Sequence, residues 1–261
     1  MNNQEETTSS GFIMTKEYRR FAEFCDTCRE YRYIGLCYGA PGVGKTLSAR
    51  HYTHWDRVEP VLEHFYGGHS PPAEALACQT LLYTPSVVNT PRIIERELFT
   101  LPSSLHHLQI KAAEKPQRIS LMIIDEADRL KMASLEHLRD RYDRGRFGLV
   151  LVGMPGIEKR LARYPQFYSR VGFVHQFRPL STEEVHFILE HQWGQLGLKL
   201  QPDDFTDTEA IATIIRITGG NFRLIHRLCT QIERILRVND VHLVTKEVVE
   251  AAREQLVIGQ M

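Results

Sequence analysis

Residues 39–46 read Gly-Ala-Pro-Gly-Val-Gly-Lys-Thr, the spacing G-x-x-x-x-G-K-[ST] without a mismatch. Each residue type has a chemical reason. Glycines let the backbone bend until several N–H groups point at one anionic cluster, and a helix starting there adds its positive end. Lys45 is then expected to meet the β- and γ-phosphates of a nucleotide, and the Thr46 hydroxyl to ligate a magnesium ion. The expected nucleotide-binding stretch is Gly39, Ala40, Pro41, Gly42, Val43, Gly44, Lys45, Thr46 and Leu47.

Such a cradle calls for acids at the end of a second buried strand, and LMIIDEAD supplies them. Asp125 is expected to hold the same magnesium ion, and Glu126 to polarise an attacking water. Two adjacent carboxylates after four apolar residues are costly without a cation to face. Hydrolysis, not only binding, is therefore expected.

These residues need particular elements behind them. YIGLCYG is an apolar, β-prone run before the glycines, and GKTLSARHYTHW takes up helical character after them. Strand, glycine turn, helix is the context a phosphate loop requires. Upstream, TKEYRRFAEFCDTCREY spaces Tyr18, Phe21, Cys25 and Cys28 as one helical stripe. Apolar runs at 80–88, 119–124, 147–154 and 171–177 read as further strands. Helices lie between them, one opening at Pro91 after an Asn89 or Thr90 cap, and residues 102–118 read as a polar connector. Alternation from about 33 to 177 predicts an α/β fold with a parallel sheet flanked by helices. After PLSTEEV four helical segments follow, with capping starts such as Ser181-x-x-Glu184. The expected organisation is a flexible leader over 1–14, a nucleotide-binding domain over 15–179 and a small helical lid domain over 180–261.

Composition excludes other classes. Hydrophobic residues make up 43% and charged residues 25%, as in ordinary globular proteins. No run approaches the roughly 20 apolar residues of a membrane span, and the polar, acid-bearing start MNNQEETTSSGF is unlike a signal peptide. A cytoplasmic protein without a membrane partner is expected. Five scattered cysteines suit a reducing compartment. Cys25, Cys28, His51 and His54 resemble zinc-ligand spacing, but the glycine loop intervenes and the thiols fall on the apolar stripe, so no metal cage is assigned.

The order GAPGVGKT, IIDEAD, a strand ending LVGM, FYSRVG and GGNFRLIHRL resembles AAA+ ATPases over about residues 15–255. The resemblance implies that Arg170, before the fifth strand, reaches the ATP of a neighbouring subunit, with Arg163 as the competing arginine. It implies that Arg223, in G-G-N-x-R, touches the γ-phosphate in its own chain. The planar guanidinium fork suits both tasks. One departure stands out. The family's fourth strand usually ends in a polar Asn or Thr, whereas this chain has Gly153-Met154-Pro155, which implies slow hydrolysis.

Within AAA+, size and texture are similar to the transposition regulators TnsC, TniB and Mu B. That resemblance implies an ATP- and Mg²⁺-dependent protein that oligomerises as a ring or filament on double-stranded DNA. It also implies recruitment of a transposase, and a target-selector protein as a further partner. Lys+Arg and Asp+Glu are equal at 32 each, so DNA would need a local patch. Between Arg139 and Arg170 eight basic residues face three acids. Arg139, Arg144 and Arg146 there, with Lys111, Lys115 and Arg118 in the connector, are the expected DNA contacts, directed at the backbone rather than at bases. Two alternatives stay open: a protein-directed AAA+ module without DNA binding, and a helicase-loader type.

Overall fold

The computed structural model describes residues 12–63, 70–112, 114–195, 205–241 and 243–256. The expected leader over 1–14 therefore lies mostly outside the described residues, as do Gly67 and Gly68. The chain forms two compact units. One comprises Tyr18–Ala40 and Lys45–Phe177; the other comprises the described parts of Met1–Glu17, Pro41–Gly44 and Arg178–Met261.

The first unit is an α/β layer structure. Its five strands are β1 (Ile34–Tyr38), β2 (Thr80–Tyr83), β3 (Leu121–Ile124), β4 (Gly148–Gly153) and β5 (Val171–Gln176). They pair in parallel in the order β2-β3-β4-β1-β5. β2, β3 and β4 are buried along their whole length, which is why LLY, LMII and LVLV are continuous apolar runs rather than alternating ones. The edge strand β5 alternates between half-buried and exposed residues.

Helices cover this sheet. α1 (Lys16–Tyr31) buries Tyr18, Phe21, Cys25 and Cys28, the stripe legible in the sequence, and Phe24 beside it. Its close approach explains Gly35, where a Cβ would stand 2.3 Å from Cys28 Sγ. α2 (Lys45–Tyr52) follows the glycine loop, and α3 (Trp55–Glu63) and α4 (Ala73–Leu76) lie between it and β2. α5 runs from Pro91 to Lys111, capped by the Thr90 side chain on the Ile93 amide. Much of the expected connector over 102–118 is thus helix. Pro102 sits inside it, while Leu105, Leu108 and Gln109 on the following turns are buried. Gln109 Nε2 donates to the carbonyls of Ala75, Leu76 and Cys78, tying the last turn of α5 down. α6 (Met132–Arg144), α7 (Ile157–Ala162) and α8 (Pro165–Tyr168) complete the unit.

The second unit is helical: α9 (Thr182–Gln195), α10 (Phe205–Thr218), α11 (Phe222–Asn239) and α12 (Lys246–Glu254). Val185, Leu189, Trp193, Ile214, Leu228 and Ile232 are among its core residues. Ser181 and Glu184 form a reciprocal cap at the start of α9, and Thr245 caps α12. Each cap contributes about 1 kcal/mol. Among the described residues no helix is long and apolar enough to cross a membrane.

Candidate active site

Parallel strands bring their C-terminal ends to one edge of the sheet, and the chemistry-bearing residues follow those ends. β1 ends at Tyr38 and β3 at Ile124, so Gly39 and Asp125 leave the same edge two strands apart, with β4 between. The loop after β1 uses glycine where a side chain would not fit. A Cβ on Gly39 would meet the Phe177 carbonyl at 2.3 Å, and Gly42 has φ +79°. Val43 is buried, whereas Leu47 is exposed.

Lys45 opens α2 and its Nζ donates to the carbonyls of Gly39 and Ala40, at 2.6 and 2.8 Å. Burial lowers its pKa, while Asp125, Glu126 and Asp128 are among the anionic groups that raise it. The ammonium is therefore partly desolvated and surrounded by acids, a site that gains from a further anionic ligand.

Asp125 is 2% exposed. Its Oδ1 accepts from the Glu126 amide at 2.9 Å, while its Oδ2 is buried without a hydrogen-bond partner. Burial raises its pKa, and hydrogen bonds from the Thr46 hydroxyl and the Glu126 amide pull it back. An orphaned buried carboxylate oxygen beside a threonine hydroxyl is the donor set of a hard divalent cation, so Thr46 and Asp125 fit magnesium. Glu126 adopts the left-handed region at φ +51°, an unusual cost for a non-glycine residue. It is half-buried.

Asp128 joins the site although the sequence reading did not single it out. Its Oδ2 accepts from the Met154 amide at 2.7 Å, and a Cβ on Gly153 would stand 2.8 Å from it. The end of β4, where Met154 offers no polar side chain, is thus supplied with a carboxylate from the β3 side. Arg160 holds the backbone of that turn, donating to the carbonyls of Asp128 and Leu130. The last acid of IIDEAD was the available signal.

In the helical unit, Asn221 serves two ends at once. Its Oδ1 accepts from the Leu224 amide as the cap of α11, and its Nδ2 donates to the Pro41 carbonyl at 2.8 Å. The Arg223 amide donates to the Gly42 carbonyl at 2.9 Å. GGNFR thus grips the middle of the phosphate loop, with Arg223 exposed beside it.

Arg170 lies at the other end of the sheet, where its carbonyl accepts from the Ile34 amide. Five residues of β1 separate that point from the phosphate loop, about 16 Å at 3.3 Å per residue. Its guanidinium is bound bidentately by Asp143, at 2.6 and 2.8 Å, and also donates to the Gln166 carbonyl. The competing Arg163 is exposed just after α7.

The expected DNA contacts separate. Arg139 pairs with Glu136 and Asp143, and Arg144 with Asp140. With Arg160 and Arg170 also engaged, half of the eight basic residues between 139 and 170 are used within the chain. Arg118 and Arg146 come together with Arg29 and Arg32 around a cavity of about 310 Å³ at the N-terminal edge of the sheet. Lys111 ends α5 and Lys115 is exposed beyond it.

The sequence model of the AAA domain family matches residues 28–161. A Staphylococcus aureus protein described as a potential ATP-binding protein is 47% identical over 271 residues, covering 97% of this chain and 99% of the relative. The Thermotoga maritima RuvB Holliday junction branch migration motor superposes with a TM-score of 0.62 at 18% identity, over 95% of this chain and 71% of that one. The Aeropyrum pernix ORC2 protein superposes with a TM-score of 0.61 at 15% identity, over 96% and 71%. At these identities the structures speak for the fold alone.

Proposed function

The chain belongs to the AAA domain family of P-loop ATPases, and we propose that it hydrolyses ATP while assembled on double-stranded DNA, as a regulator of transposition. The observation that carries the hydrolytic part is the Lys45, Thr46, Asp125 and Glu126 constellation, with the orphaned Asp125 Oδ2 at its centre.

Lys45 would leave the Gly39 and Ala40 carbonyls to meet the β/γ-phosphate charge. The loop amides around Gly42 and Gly44 hold the phosphates in place. Thr46 and Asp125 would hold Mg²⁺, which supplies charge neutralisation on the phosphates. Glu126 takes a proton from the attacking water. Asp128 fixes the end of β4 through the Met154 amide. Arg223 serves the γ-phosphate in its own chain. Arg170, some 16 Å along β1 from its own phosphate loop, is suited to a neighbour's nucleotide, which makes self-assembly part of the reaction.

Two considerations support the DNA-directed part: the similarity in texture to transposition regulators, and exposed basic residues at Lys111, Lys115, Arg118 and Arg146. One protein sharing the fold, RuvB, is by name a branch migration motor. A transposase and a target-selector protein are the further partners this reading implies. The test is filter binding of random-sequence duplex DNA, with and without ATP and Mg²⁺. ATP-dependent retention supports the proposal. Equal, negligible retention in both conditions sinks it in favour of a protein-directed ATPase.

A further inference from the structure

One groove of about 570 Å³ lies away from the phosphate loop, lined by Arg92, Ile93, Glu95, Arg96 and Phe99 of α5 and by Arg141 of α6. Arg92, Arg96 and Phe99 are spaced i, i+4, i+7 and so share one helix face. Arg92 and Arg96 stand about 6 Å apart along the axis, at 1.5 Å per residue. Both are exposed, as is Phe99 at 65%. No carboxylate pairs with Arg92, Arg96 or Arg141 among the described residues, whereas Arg139 and Arg144 on the same α6 are paired.

Arg141 is the informative member. It is half-buried against α5, and that burial alone lowers its pKa, with no acid opposing it. A half-buried guanidinium without a counter-charge gains from an anionic ligand in the groove it lines. The geometry calls for an anion that repeats along a line, touches three arginines and tolerates an apolar neighbour.

We propose that this α5–α6 groove binds the sugar–phosphate backbone of duplex DNA, with Arg92, Arg96 and Arg141 on the phosphates. The inference rests on the DNA-directed reading above and moves the contact away from Arg139 and Arg144, whose charge is spent on α6. Glu95, at the groove wall, opposes binding and moderates it. No base-reading element is involved, so the groove is indifferent to sequence.

The test is fluorescence anisotropy of the full chain with a labelled random duplex, ATP and Mg²⁺, over a salt series. Each lost phosphate contact should reduce the slope of log K against log salt by about 0.9. Arg92→Ala/Arg96→Ala, on the exposed face, is expected to lose nearly two units of slope and at least about tenfold in affinity near 0.1 M salt. Arg141→Ala is expected to lose about one unit. Glu95→Gln should bind more tightly, a sign that mere damage would not produce. Arg237→Ala, on α11 of the helical unit and outside the groove lining, should match wild type, and every variant should bind ATP as wild type does. Wild-type slope and affinity in the Arg92/Arg96 variant overturn the groove while leaving the DNA-directed reading intact. No duplex binding by wild type overturns both. Arginine-dependent sedimentation with phosphatidylserine vesicles, with DNA binding unchanged, assigns the groove to a membrane surface and overturns the proposal.

Discussion

Arg170 and Asp143 form a bidentate ion pair at the N-terminal end of the sheet, with Nε–Oδ1 at 2.6 Å and Nη2–Oδ2 at 2.8 Å. Asp143 comes from α6 and also accepts from Arg139, and Arg170 is its strongest influence, holding the carboxyl below the usual range. All three guanidinium nitrogens are thus engaged within the chain, so serving a neighbour's nucleotide requires exchanging Asp143 or the Gln166 carbonyl for phosphate oxygens.

Arg170→Ala should bind ATP within about twofold of wild type and hydrolyse it about 10³-fold more slowly, the lower end of what an arginine finger contributes. Mixing it with Lys45→Ala subunits should restore part of the activity, because one supplies the arginine and the other the ATP site. A co-assembled mixture as inactive as either variant would remove Arg170 from this role.

Lys45→Ala should lose nucleotide binding, since it removes the side chain that meets the β/γ-phosphate charge. Equilibrium titration with a fluorescent ATP analogue checks it; unchanged affinity would contradict the phosphate-loop assignment.

Glu126→Gln should retain ATP and stop turnover, because the amide keeps the shape and loses the base. It should also remain longer on DNA. Normal steady-state hydrolysis by this variant would overturn the role given to Glu126.

Asp125 carries a pH consequence. Burial raises its folded pKa above the unfolded value, so the fold binds the proton more tightly, and stability falls as pH rises between the two values. Above both values, without magnesium, that cost is fully present. Asp125→Asn should therefore raise the melting temperature of the nucleotide-free protein, by about 2–4 °C if roughly 1 kcal/mol is recovered. It should abolish the further rise that Mg²⁺ and ATP give wild type. A melting temperature lowered by the substitution would contradict this account of the site.

Asp128→Ala frees the Met154 amide and should lower the hydrolysis rate about tenfold with ATP affinity preserved, the loss of one positioning hydrogen bond of about 1.4 kcal/mol. A loss of ATP affinity instead would make Asp128 a binding residue.

The central site was legible because its chemistry fixes residue type and spacing together. Gly39 through Thr46 and Asp125-Glu126 lie at strand ends where an apolar run stops abruptly, whereas the strand order comes from the structure alone. α5 was less legible. Pro102 and the polar run after it read as a connector, and only burial of Leu105, Leu108 and Gln109 carries the helix to Lys111. Asp128 escaped notice because its partner is a backbone amide 26 residues away, which no side-chain pattern announces. The charge excess between Arg139 and Arg170 is larger in the sequence than in space, because i,i+3 and i,i+4 carboxylates on α6 pair with Arg139 and Arg144. The unpaired Arg141 is distinguished from them only by what it packs against.

The central claim, that hydrolysis needs subunits gathered on DNA, is tested most directly by steady-state ATP turnover across a hundredfold range of protein concentration, with and without random duplex DNA. Arg170 held at the end of β1 away from its own phosphate loop predicts specific activity that rises with concentration and, at low concentration, rises again when duplex is added. Specific activity that stays constant over the whole range and ignores DNA would contradict the account.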